Sequence, residues 1–178
     1  DIRGFTSLSE SRTPEQIVDL LNRYFSLQVE VIFRYNGTID KFIGDCIMAF
    51  WGAPLDNPQH ALDAVRAAVE MSEVLEKFKQ ELGDLSADFD VGIGLHSGPA
   101  VVGSIGSSER KEFTAIGDTV NLASRIEGLT KGVSRILVSK ETMLLCGDAL
   151  DFEAFGSYKV KGREQEVELF APNPRKLT

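Results

Sequence analysis

Residues 38–52 read TIDKFIGDCIMAFWG, two apolar runs of strand composition broken by Gly44-Asp45. A Gly-Asp pair between such runs is a two-residue hairpin turn, because glycine accepts the positive φ that the turn requires. The turn sets a carboxylate, Asp45, at the tip of an otherwise apolar hairpin. Lys41 stands four residues earlier, and beyond Asp40 nearly all its neighbours are apolar. A charge in such a run is costly unless something pairs with it. Two charges in a hairpin that reads as buried mark a candidate site. The plainer reading is a solvated turn aspartate and a lysine that snorkels to an edge.

Helical signals flank the hairpin. Upstream, Thr13 as N-cap, Pro14 at the first helical position and Gln16 three residues on form a capping box. The helix it opens runs to about Tyr35, with Ile17, Leu20, Leu21, Tyr24, Phe25 and Ile32 on one face. Asn36-Gly37 ends it, with glycine as the left-handed cap. Downstream, Asp56-Asn57-Pro58 reads as a second cap, launching a helix to about Leu82 that Gly83 closes. Residues 88–96 and 100–105 read as strands joined by a hairpin-like turn at Ser97-Gly98-Pro99. A polar loop at 106–111 leads to FTAIGDTVNLASRIEGL (113–129), where Asp118 can cap a helix. A strand at 135–138, a short helix capped by Ser139 with Glu141 in its first turn, and strands at 152–160 and 166–170 complete the chain.

This order predicts an α+β sandwich, a mainly antiparallel sheet with helices packed against it. With one strand ahead of Asp1 the core reads βαββαβ, a ferredoxin-like arrangement with extra C-terminal strands. The abrupt opening on DIRGFT reads as a truncation at the end of that first strand. Residues 1–178 show no repeat, no low-complexity linker and no composition break, so they read as one domain of a longer protein.

Composition narrows the function classes. The chain is 43% hydrophobic and 26% charged, ordinary for a globular protein, with no apolar run of membrane-spanning length. A net charge of −8 argues against nucleic acid or an anionic membrane as the main partner. Cys46 and Cys146 stand alone in apolar segments, which suits a reducing compartment and a cytoplasmic location.

Some motifs carry little. Gly92-Ile93-Gly94 with Gly98 superficially matches a dinucleotide fingerprint, but the glycines lie inside a strand and no helix follows, so they read as structural. No GxxxxGK[ST] sequence occurs. His60 and His96 are isolated, without HExxH spacing, and read as structural. The stronger signal pairs Asp1 with Asp45. Each ends a strand beside a glycine-bearing turn, and carboxylate oxygens are what Mg²⁺ takes, with substrate phosphates completing its shell. Gly4 lets the turn at residues 2–6 approach phosphates with its N–H groups.

Three blocks, DIRGFT at residue 1, DKFIGD at 40 and FTAIGDTVNLASR at 113, resemble those of class III nucleotidyl cyclase catalytic domains, the adenylyl/guanylyl cyclase family. The resemblance runs in order to the closing KVKG and EVELF. It implies ATP as substrate, cyclic AMP and pyrophosphate as products, and two Mg²⁺ (or Mn²⁺) as cofactors. It implies metal ligation by Asp1, Asp45 and the carbonyl of Ile2, and purine reading by Lys41 and Thr114. Gly4, Phe5, Thr6 and Lys161 would hold phosphates; Asn121 and Arg125 would position the ribose and stabilise the transition state. Lys and Thr at the purine positions resemble the bacterial and soluble-type adenylyl branch, in which bicarbonate activates; guanylyl cyclases place Glu and Cys there. The family's sites form at a head-to-tail dimer interface, which implies a homodimer, since both residue sets are present. A guanylyl cyclase, or a regulatory module that binds nucleotide without turnover, is the alternative.

Overall fold

The computed structural model describes residues 1–84 and 89–173. In chain order the elements are β1 (Ile2–Arg3), α1 (Phe5–Glu10), α2 (Pro14–Arg34), β2 (Thr38–Ile43), β3 (Cys46–Phe50), α3 (His60–Leu82), β4 (Asp90–Val91), β5 (Ile93–Leu95), β6 (Val101–Gly106), β7 (Lys111–Ile116), α4 (Asp118–Gly128), β8 (Ile136–Ser139), α5 (Lys140–Leu145), β9 (Phe152–Tyr158) and β10 (Val167–Pro172).

Residues 38–52 form the hairpin that their pattern predicts. β2 and β3 pair antiparallel, Ile43 opposes Cys46 across the turn, and Gly44 takes φ 59°. No pattern announced the register shift between Ile39 and Lys41, a bulge at Asp40. A bulge re-aims the side chain it carries, and Asp40 points its carboxylate at β7, where it is fully buried. The hairpin is less buried than expected: Phe42 and Ile43 are 48% and 57% exposed.

The helix before it begins as predicted. Thr13 Oγ1 accepts from the Gln16 N–H at 3.2 Å and Gln16 Oε1 accepts from the Thr13 N–H at 3.0 Å. α2 buries Leu20, Tyr24, Val31 and Ile32, together with Gln28, whose amide donates to the Met71 carbonyl on α3 at 3.2 Å. Its end differs from the expectation. Asn36 takes the left-handed conformation at φ 67°, and Gly37 serves close packing instead. A Cβ at Gly37 would lie 2.5 Å from Ile32 and 2.7 Å from the Trp51 ring. α3 starts at His60 rather than at the Asn57-Pro58 cap, because Asn57 spends its side chain on the turn. Its Oδ1 accepts from the Gln59 N–H and its amide donates to Asp63, both at 2.9 Å.

The second half corrects the predicted connectivity. The strand expected over 88–96 is interrupted at Gly92 into β4 and β5; Asp88 lies outside the described residues. β5 and the following strand form no hairpin. β5 pairs parallel with β8 in the order β5-β8-β10-β9, and β6 pairs antiparallel with β7. A parallel pair needs a crossover, and β6, β7 and α4 supply it. β7 lies between the loop expected at 106–111 and the helix expected from Asp118, and its KEFTAI run is too short and polar-flanked to signal a strand. α4 lies directly on β5: a Cβ at Gly94 would collide with the Glu127 backbone, so the strand glycines are structural, as expected. Gly117, not Asp118, is the N-cap of α4, and Asp118 is its first residue. α1 is a further element that the sequence pattern does not signal. Its FTSLSE run is polar on most sides and buries only Leu8. The α5 cap is as expected, with Ser139 Oγ accepting from the Thr142 N–H.

Apolar burial joins these layers. Tyr24, Phe78 and Phe89 meet in tilted and edge-to-face ring contacts between α2, α3 and the approach to β4. Leu122 and Ile126 face inward from α4 onto Leu137 and Leu169. Each such side chain contributes about 1.5–3 kcal/mol when withdrawn from water.

Candidate active site

The fold brings Asp1 and Asp45 to one place. β1 pairs with β4, placing Ile2 opposite Val91, and the Gly92 N–H donates to the Asp1 carbonyl at 2.9 Å. Asp45 Oδ2 accepts from the backbone N–H of Ile2, 43 residues away in sequence, at 3.1 Å. The hairpin tip is thereby tied to the end of β1. Arg3 anchors the strand from behind, donating to Asp90 at 2.8 Å; Arg135 also holds Asp90, at 3.0 Å, and Glu76, at 2.6 Å. Burial alone would raise the Asp90 carboxyl, but the Val91 N–H and the Arg135 and Arg3 guanidinium groups outweigh it and hold it below its ordinary range. Glu127 lies nearby on α4, where burial pushes its carboxyl up against the pull of Arg3.

The donor chemistry of Asp1 and Asp45 suits a hard divalent cation. It offers carboxylate oxygens, with a backbone carbonyl at Ile2, and neither imidazole nor thiolate. Among the described residues no cluster of three or more His, Cys, Asp or Glu side chains could enclose a metal alone. Two carboxylates suit an ion that takes its remaining ligands from substrate phosphates and water.

Lys41 and Thr114 are linked through Asp40. The Thr114 hydroxyl lies 2.9 and 2.7 Å from the two Asp40 oxygens, and the Ala115 N–H donates to the same carboxylate at 3.0 Å. Lys41 Nζ is 3.7 Å from Asp40 and 3.5 Å from Glu112. Asp40 is the link between them that pattern reasoning missed. The signal for it was an acid beside Lys41 on a β-strand bearing apolar neighbours, where an unpaired charge is costly.

α4 carries the third group. Leu122 and Ile126 turn inward, and Asn121 and Arg125, four apart, share the outer face. Arg125 lies under the turn that bears Lys161: a Cβ at Gly162 would come within 3.3 Å of its guanidinium. In the same turn Arg163 donates to Asp118, and its backbone N–H bonds the Val160 carbonyl at 3.1 Å. Lys161 itself is exposed. Gly4, at φ 66°, caps α1, and Phe5 and Thr6 begin that helix just beyond β1. The two histidines have structural partners or positions. His96 Nδ1 is 2.7 Å from Ser139 Oγ, and burial holds its imidazole below the ordinary value despite Glu141; His60 opens α3.

The family model for the adenylate and guanylate cyclase catalytic domain matches residues 1–171. Adenylate cyclase 1 of Rhizobium meliloti (strain 1021) is 42% identical over 173 residues, covering 96% of this chain and 26% of that protein. The adenylate cyclase of Anabaena cylindrica is 37% identical over 179 residues, covering 96% of this chain and 35% of that one. The chain thus spans about a third or less of the curated relatives it matches. Among solved structures, the adenylyl cyclase CyaB from P. aeruginosa superposes with a TM-score of 0.88 at 34% identity, over 97% of this chain and 90% of that one. The guanylyl cyclase Cya2 superposes with a TM-score of 0.90 at 38% identity, over 97% and 87%. With the family model spanning nearly all its length, the chain belongs to the adenylate and guanylate cyclase catalytic domain family.

Proposed function

We propose that this chain is the catalytic domain of an adenylyl cyclase, converting ATP to cyclic AMP and pyrophosphate. One observation carries the reading: a single hairpin holds Asp45 against the end of β1 and Lys41 beside Asp40, to which the Thr114 hydroxyl donates. Its finer fold is a ferredoxin-like βαββαβ core, supported by the hairpin that follows α2 and by α3 packed beside α2.

The ribose 3′-oxygen attacks the α-phosphorus in line, forming the cyclic phosphodiester as the bond to the pyrophosphate oxygen breaks. Asp1, Asp45 and the Ile2 carbonyl would hold two Mg²⁺ or Mn²⁺ ions, which when bound acidify the 3′-hydroxyl and neutralise charge on the leaving group. Lys41 and Thr114 read the edge of the purine. Asn121 orients the ribose, and Arg125 meets the negative charge that grows at the α-phosphate. Lys161 and the backbone from Gly4 to Thr6 hold the terminal phosphates.

The site is shared in a head-to-tail homodimer, one chain supplying Asp1 and Asp45 and its partner the remaining side chains. Support comes from large apolar residues exposed on both hairpins: Phe42, Ile43, Val101, Phe113 and Ile116 are 42–64% exposed. A closed two-fold assembly would cover them. The cytosol supplies ATP and suits the free thiols Cys46 and Cys146. Among the described residues no helix is long and apolar enough to cross a membrane. Bicarbonate stimulation belongs to the same reading, through the Lys/Thr pair.

The similarity to Cya2 favours guanylyl cyclase as the second reading. Lys41 argues against it, since a lysine donates to the unprotonated N1 of adenine whereas N1 of guanine carries a proton. The test is to incubate the purified protein with ATP or GTP and Mg²⁺ or Mn²⁺ and to separate the cyclic products. Cyclic AMP from ATP in clear excess is expected. Preferential cyclic GMP would install the second reading, and tight ATP binding without product would make the domain a regulatory module.

A further inference from the structure

We infer that Asp40 is a positioning residue that fixes the polarity of the Thr114 hydroxyl and so makes it select a 6-amino over a 6-oxo purine. The inference rests on the adenylyl cyclase reading of the site and deepens it.

A threonine hydroxyl is by itself a poor discriminator, because it can donate or accept as its rotor turns. Facing adenine it accepts from the exocyclic amine; facing guanine it could rotate and donate to O6. Asp40 removes that choice. Both its oxygens lie within hydrogen-bond distance of Thr114 Oγ1, at 2.7 and 2.9 Å, and a carboxylate accepts without donating. The hydroxyl proton is therefore directed at Asp40, and only lone pairs remain for the base. The carboxylate is well placed to hold it there. Its side chain is fully buried, the Ala115 N–H donates to it at 3.0 Å, and the Lys41 ammonium sits 3.7 Å away. The β2 bulge re-aims Asp40 toward β7, beside the threonine rather than along the pleat. Position 6 would then be read by an acceptor and N1 by the Lys41 donor, a pattern that adenine matches and guanine opposes at both atoms.

A matched substrate pair tests this on the unaltered enzyme. N6-methyl-ATP and 6-methoxypurine riboside triphosphate have similar size and both leave N1 unprotonated. They differ in presenting N–H or oxygen at position 6. With the hydroxyl pinned, kcat/KM should favour the N6-methyl compound by about tenfold or more, because an acceptor facing an acceptor leaves both groups unpaired. Asp40→Asn, isosteric and able to donate through its amide, should narrow that gap to about threefold or less. The same substitution in a Thr114→Val background should change the ratio no further, since its route of action is gone. Equal use of the two compounds by the unaltered enzyme overturns the inference while leaving the adenylyl cyclase reading intact. So does a gap that Asp40→Asn leaves unchanged, or one that it shifts equally with and without Thr114. Failure to cyclise ATP at all overturns the reading beneath it and the inference together.

Discussion

The two ends of the 38–52 hairpin are built differently. At the tip, Asp45 is tied to the end of β1 by the Ile2 backbone N–H at 3.1 Å, beside Asp1. At the bulge, Asp40 is fully buried and satisfied by Thr114, Ala115 and Lys41 before any base arrives. Under the proposed function, the first end is an electrostatic demand that an incoming cation and triphosphate would meet. The second, on the same reading, is a template whose polarity is set in advance. A demand supplies binding energy and charge stabilisation, whereas a template supplies discrimination.

The contrast breaks most visibly at the tip. Asp45→Ala should lower cyclisation by on the order of 10³-fold, the scale of several kcal/mol of transition-state charge stabilisation. The ATP:GTP preference of the residual activity should stay as it was. A large change in that preference, measured by separating the products, would mean that the two ends are not independent. Circular dichroism of the variant separates this loss from unfolding.

Next in size is a recovery. Asp45→Ala and Arg125→Ala are each expected to be nearly inactive alone. In a head-to-tail dimer, each mixed pair carries one intact site and one doubly damaged site. Random assortment makes about half the dimers mixed, so about a quarter of unmutated activity should return on co-expression. No recovery in dimers verified as mixed would place Asp45 and Arg125 of one chain in the same site.

At the template end the effect is smaller and of another kind. Lys41→Ala should reduce the ATP:GTP preference by roughly tenfold, since losing one donor to the base forfeits about 1–3 kcal/mol of discrimination. Turnover at saturating ATP should fall far less than with Asp45→Ala. If Lys41→Ala lowered kcat for ATP and GTP alike, leaving their ratio intact, Lys41 would be acting at the phosphates rather than at the base.

How much of this was legible in the chain follows the same division. The Gly-Asp turn, the Thr13 capping box and the Ser139 cap are local signals, each readable from a few neighbouring residues. The Asp40 hub was not readable. It depends on a bulge and on the pairing of residue 40 with residue 114, a contact 74 positions apart. The parallel β5–β8 pairing was hidden for the same reason, since Ser97-Gly98-Pro99 carries the residues of a hairpin turn while the partner strand lies some forty residues on. Asn36 and Gly37 show a subtler case. Both suit a left-handed cap, and only the packing of Trp51 on residue 37 decides which takes it.

That packing gives the smallest expected change in chemistry and a control for the whole comparison. Gly37 lies at the root of the hairpin, where a Cβ would stand 2.5 Å from Ile32 and 2.7 Å from the Trp51 ring. Trp51 cannot retreat freely, because its indole N–H donates to the Tyr35 carbonyl at 2.9 Å. Gly37→Ala should therefore destabilise the fold by about 1–3 kcal/mol, the usual range for overpacking, and lower Tm by several degrees. The root carries both ends at once, so displacing it should lower metal-dependent turnover and base recognition together. The ATP:GTP ratio would then move by less than about twofold, within the ordinary effect of a surface substitution. A ratio that collapsed while Tm held would show that the template depends on the hairpin root more than the tip does, and the two ends would have to be treated as one.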